Sequence, residues 1–106
     1  MLNKKLTPII AGRTVKHTKQ SDGLLQIEFD DGSVMKIKTG TPFTASIAGR
    51  TVKAVRQRAT EFDLDFADGT SAAITLAEET SSVMLRNAAG VLEFFAPAAE
   101  SGRAFQ

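Results

Sequence analysis

Ile10-Ala11-Gly12-Arg13-Thr14-Val15-Lys16 returns unchanged as Ile47-Ala48-Gly49-Arg50-Thr51-Val52-Lys53. The same offset of 37 residues then carries Phe29-Asp30-Asp31-Gly32-Ser33 onto Phe66-Ala67-Asp68-Gly69-Thr70 without a gap. Two copies of one hydrophobic pattern imply two copies of one structural unit that bury their apolar faces together. Each copy alone falls below the roughly 40 residues at which chains usually need disulfides, metals or partners to fold. The copies are therefore expected to share one core in a single domain spanning residues 1–106.

Working outward from the repeat, the period is two. Leu25, Ile27 and Phe29 alternate with Gln26 and Glu28, and Phe62, Leu64 and Phe66 alternate with Asp63 and Asp65, the pattern of a strand with one buried face. Met35 and Ile37, then Ala72, Ile74 and Leu76, continue it. Asp30-Asp31-Gly32 and Ala67-Asp68-Gly69 join these runs as three-residue hairpin loops, with glycine taking the positive φ of a G1 bulge. A more polar strand precedes each hairpin, Thr14 to Gln20 and Thr51 to Gln57, with Val15 and Val52 inward. Each copy is thus a three-stranded meander, about residues 10–41 and 47–78. Gly12 and Gly49 mark the entry turns, and Thr39-Gly40-Thr41-Pro42 is the linker.

A further hairpin is expected at 82–95, where Val83-Met84-Leu85-Arg86 and Val91-Leu92-Glu93-Phe94-Phe95 flank Asn87-Ala88-Ala89-Gly90. Its strands are apolar on both faces and call for cover on both. Residues 96–106 show no period, and a frayed tail is expected there.

The predicted fold is all-β: two meanders related by pseudo-two-fold symmetry, packed as a small barrel or roll with the C-terminal hairpin over one end. A two-sheet β-sandwich is the alternative.

Composition narrows the function classes. A hydrophobic share of 42% and a charged share of 24% are those of an ordinary globular protein. No apolar run approaches the ~20 residues of a spanning helix, so no membrane partner and a cytoplasmic location are expected. The absence of cysteine removes thiolate metal sites and thiol catalysis. The net charge of +1 hides an asymmetry: residues 1–53 carry nine Lys/Arg against four Asp/Glu, and residues 54–106 carry four against eight. Such a split can steer a partner or orient copies of one chain.

Val55-Arg56-Gln57, Leu64-Asp65-Phe66-Ala67-Asp68-Gly69-Thr70, then Ser82-Val83-Met84-Leu85-Arg86 and Gly90-Val91-Leu92-Glu93-Phe94, resemble a group of short bacterial proteins built on strand-DG-strand hairpins with an S-V-M-x-R…G-x-x-E-aromatic close. The resemblance covers the second half of the chain. It implies a hairpin-built β fold, with the first copy lacking the closing hairpin, and brings no activity or catalytic residue.

Among polar residues the duplicated pairs Arg13/Lys16 and Arg50/Lys53 stand out. Converging across a pseudo-two-fold axis they would suit a carboxylate, a phosphate or a partner's acidic edge. The competing reading has the first-strand cations facing Glu28, Asp63 and Asp65 across strands. His17 shares the parity of Val15 and is expected on the interior side. Asp63-Leu64-Asp65-Phe66-Ala67-Asp68-Gly69 misses calcium-loop spacing, with Ile74 where a glutamate is needed. No catalytic residue, metal site or cofactor is assigned. A non-enzymatic interaction or structural module is expected, its partner a protein or itself, with self-association through Met84, Leu92, Phe94 and Phe95. Small-anion or nucleic-acid binding through the duplicated cations is the alternative, although without Trp or Tyr the chain offers few stacking platforms.

Overall fold

The computed structural model describes residues 6–78 and 82–95. Over these it has one short helix, α1 (Leu6–Ile10), and the strands β1 (Val15–Ser21), β2 (Leu24–Phe29), β3 (Val34–Lys38), β4 (Val52–Arg58), β5 (Glu61–Phe66), β6 (Ser71–Thr75), β7 (Val83–Arg86) and β8 (Leu92–Phe95). They make two antiparallel sheets, ordered β1-β2-β3-β7-β8 and β4-β5-β6. The chain is all-β, as its alternation requires. The tail at 96–106 lies outside the described residues.

The hairpin loops follow the turn chemistry of their sequences. Gly32 and Gly69 sit at φ 88° and 90°, the left-handed region that glycine enters freely. Phe29 N–H donates to Ser33 O at 2.9 Å, and Phe66 N–H donates to Thr70 O at 2.8 Å. Asp31 and Asp68 accept the N–H of Ser33 and Thr70, each at 2.9 Å.

A closed barrel does not form. The two meanders touch along their edges at two isolated bridges, Thr14–Thr51 and Thr39–Leu76. Around the first, Val15 N–H donates to Arg50 O and Val52 N–H to Arg13 O, while Gly12 and Gly49 donate to Val52 O and Val15 O. Around the second, Gly40 N–H donates to Thr75 O and Ala77 N–H to Lys38 O. Beyond that bridge the edge of β3 is occupied by β7, with Lys36 opposite Met84 and Lys38 N–H donating to Ser82 O at 2.7 Å. That insertion interrupts any ring. It also places the C-terminal hairpin in the sheet of the first copy, extending it sideways where a cap over one end was expected.

A second correction concerns His17. The β1–β2 register shifts between Val15 and His17, and the β4–β5 register shifts between Val52 and Ala54. An extra residue in a bulge reverses the parity of everything after it. Val15 and Val52 stay buried, but burial resumes at Thr18 and Gln20 in β1 and at Val55 and Gln57 in β4. His17 is therefore exposed, its Nε2 2.8 Å from Glu28 Oε1.

Both sheets feed one apolar cluster. Leu25, Ile27, Phe29, Met35 and Ile37 meet Phe62, Leu64, Phe66, Ala72 and Ile74, joined by Val83, Leu85 and Phe94 of the hairpin. Leu6 and Ile10, one turn apart on α1, add two fully buried side chains. Between them the Thr7 hydroxyl accepts Val55 N–H at 2.9 Å and lies 3.2 Å from Val55 O. Those are groups of β4 with no partner in β5, so α1 covers that edge of the smaller sheet.

Candidate interaction surface and the duplicated cations

The repeat places Arg13 and Arg50 at equivalent backbone positions beside the Thr14–Thr51 bridge, whose hydroxyls lie 2.7 Å apart. Their guanidinium groups take different partners. Arg13 reaches β8, donating from Nη1 and Nη2 to the two oxygens of Glu93 at 3.1 and 2.9 Å, with Asp31 at 3.5 Å on its other side. The side chains of Arg13 and Glu93 are 18% and 24% exposed, so the fork is shielded from most solvent competition. The Glu93 hydrogen bonds raise the Arg13 pKa against the opposing effect of burial. Arg13 thereby ties the entry turn of the first copy, the Asp31 loop and the C-terminal hairpin together.

Arg50 has no carboxylate within salt-bridge distance among the described residues. It donates to Thr70 Oγ1 at 2.6 Å and lies 6.0 Å from the centre of the Phe66 ring. Asp68, in the adjacent loop, is held below its ordinary pKa chiefly by the Thr70 hydroxyl, with Arg50 a smaller contributor. Lys16 lies 3.9 Å from Glu28 across the β1–β2 pair. Lys53 lines a shallow cleft of about 240 Å³ with Asp65, Gly69, Thr70 and Ser71. In the second copy Arg56 takes the cross-strand role, at 2.7 Å from Asp65 and 3.7 Å from Asp63. Hydrogen bonds from Arg56, then from Ser71, hold the Asp65 carboxyl below its usual range. Two of the three acids of the calcium-like stretch, Asp63 and Asp65, are thus engaged by arginine.

The hairpin separates its apolar residues by alternation at Phe94 and Phe95 and by a register shift between Leu85 and Arg86, across which Phe94 and Leu92 part. Phe94 is 7% exposed and belongs to the chain's own core, whereas Val91, Leu92 and Phe95 are 58%, 47% and 37% exposed. Met84 is half-buried opposite Phe95, and Lys36 lies opposite Met84. Leu24, Val83, Met84 and Phe95 line a shallow groove of about 220 Å³ rimmed by Lys36 and Lys38. Of the four residues assigned to self-association, Met84, Leu92 and Phe95 remain accessible from outside, while Phe94 anchors the hairpin.

Among the described residues no helix is long and apolar enough to cross a membrane. Compared with protein-family models, curated proteins and solved structures, the chain matches none.

Proposed function

We propose that the chain is a non-enzymatic interaction module that self-associates through the outer face of its C-terminal hairpin. The observation that carries this reading is the exposure of Val91, Leu92 and Phe95 beside half-buried Met84. Clustered apolar groups of this kind commonly mark an interface. The acidic second half and basic first half would orient one copy against another. We further propose a pseudo-two-fold relation between the meanders, supported by the reciprocal hydrogen bonds around Thr14–Thr51 and Thr39–Leu76, each displaced by the repeat offset.

The alternative, anion binding at the duplicated cations, is favoured only in the second copy, where Arg50 has no carboxylate among the described residues and Lys53 borders a cleft. Sedimentation at two concentrations tests the main reading. Wild type should gain mass with concentration, and a Leu92→Ser/Phe95→Ser variant should stay monomeric while melting normally. A wild type monomeric at every concentration would refute self-association.

A further inference from the structure

The two halves of the molecule differ in one respect that their sequences do not announce. In the first, the edge of β3 is covered by β7, Arg13 is forked onto Glu93, and Gly32 lies under the hairpin loop. A Cβ built on Gly32 would stand 2.8 Å from Ala88 Cβ. In the second, the equivalent strand β6 has β5 on one side and no described strand on the other. Arg50, equivalent to Arg13, has no carboxylate among the described residues, and a Cβ on Gly69 would meet nothing within 4 Å. Edge, cation and loop floor all match a receptor for a closing hairpin, and among the described residues nothing fills any of the three.

We propose that β6, Arg50 and the Gly69 loop form a docking site for a β-strand or hairpin of another protein, which adds to the β4-β5-β6 sheet as β7 adds to β1-β2-β3. The backbone licenses it. Leu76 N–H donates to Thr60 O, so antiparallel alternation leaves the N–H and C=O groups of Ser71 and Ala73, and the N–H of Thr75, directed away from β5. The matching Lys38 N–H on β3 donates to Ser82 O. β6 also lacks the usual guards of an exposed edge, since its outward residues Ser71, Ala73 and Thr75 include neither charge nor proline.

The chemistry of the occupant follows from the filled half. It alternates apolar residues inward, supplies main-chain partners to Ser71, Ala73 and Thr75, and carries a carboxylate where Glu93 stands relative to β7, to meet Arg50 with a charge-assisted pair. Ala72 replaces Met35, which faces Leu85, so the inward residue opposite Ala72 is larger than leucine. A second copy of the chain does not meet this need. The described residues hold one such hairpin and two such edges, so lending the hairpin to a neighbour uncovers its own β3. The site lies on a different sheet from the apolar face of β7–β8 and stands or falls independently of self-association.

The test uses the isotope-labelled full chain and a synthetic peptide of residues 82–95 carrying Leu85→Phe as the probe strand. Saturable shifts are expected at Ser71, Ala73, Thr75 and the Arg50 side chain. Affinity should fall at least 5-fold for the peptide carrying Glu93→Gln, and docking should be lost in the chain variants Ala73→Pro and Arg50→Met. Proline at 73 removes an N–H that β5 does not use, and Arg50→Met leaves the backbone untouched should the proline disturb the fold. Shifts confined to Val34–Lys38 would mean that the peptide displaces the resident hairpin, and would overturn the proposal. Concentration-dependent shifts at β6 without peptide would assign the edge to a second copy and overturn it equally. So would no shift at millimolar peptide.

Discussion

Arg13 and Arg50 occupy the same position in two copies of one sequence, so replacing each by methionine compares a filled site with an open one. Arg13 makes two hydrogen bonds to a carboxylate, with both side chains less than a quarter exposed. Hydrogen bonds to charged groups contribute about 1.5–3 kcal/mol when shielded. Removing the cation also strands Glu93 without its partner. Allowing for residual solvent at the fork, Arg13→Met should cost about 2–3 kcal/mol. Arg50→Met loses one exposed hydroxyl contact and a ring contact at the outer limit of cation–π range, a loss of about 1 kcal/mol or less. Urea melts of the two variants, read at constant m-value, give both numbers. A cycle with Glu93→Gln should return a coupling of at least about 1 kcal/mol for Arg13 and near zero for Arg50. Equal losses at the two sites, or no coupling between Arg13 and Glu93, would refute the clamp and with it the seating of the hairpin on the first copy.

Gly32→Ala and Gly69→Ala both force a Cβ into the left-handed region at about 1–2 kcal/mol, but Gly32→Ala should cost more because of Ala88; equal values in melts would mean that the hairpin loop does not sit there. Thr7→Val removes the hydroxyl that serves Val55 N–H and should destabilise by about 1–3 kcal/mol, measured the same way. Phe66→Ala should cost about 3–5 kcal/mol in a single transition; two separable transitions would contradict the shared core. Asp65 has a depressed pKa, so the unfolded chain takes up its proton first as pH falls. Its stabilisation is present above the unfolded value near 3.9 and lost as pH drops through the lower folded value. Asp65→Asn should flatten the acid limb of a stability profile below about pH 4, and an unchanged limb would show that the Arg56 contact contributes nothing.

The meanders were legible because each residue pair that fixes them is local: Asp-Gly sets the loop, alternation sets the face, and recurrence at one offset excludes coincidence. His17 was misplaced because a bulge leaves no mark in a polar strand, although Val55, an odd three residues after inward Val52, hinted that parity had changed. Helix α1 was not legible from the repeat: Thr7 and Ile10 recur as Thr44 and Ile47, yet residues 43–47 form no helix. The partner of the C-terminal hairpin was not legible at all. Sequence adjacency favours β6, and the choice of β3 depends on long-range contacts, Arg13 with Glu93 and Gly32 with Ala88, that no short-range pattern encodes. The alternation in Leu92-Glu93-Phe94-Phe95 did imply a split between core and surface, but only the register assigns Phe94 to the core and Phe95 to the outside.

The choice of β3 over β6 is tested most directly by amide hydrogen exchange on the dilute, monomeric chain. Lys36 and Lys38 face β7, while Ala73 and Thr75 occupy the same positions on β6 and face no described strand. The amides of Lys36 and Lys38 should exchange orders of magnitude more slowly than those of Ala73 and Thr75, which should approach the rate of unprotected amides. Protection of Ala73 equal to that of Lys36 would contradict an open second edge, and fast exchange at Lys36 would contradict a hairpin seated on the first.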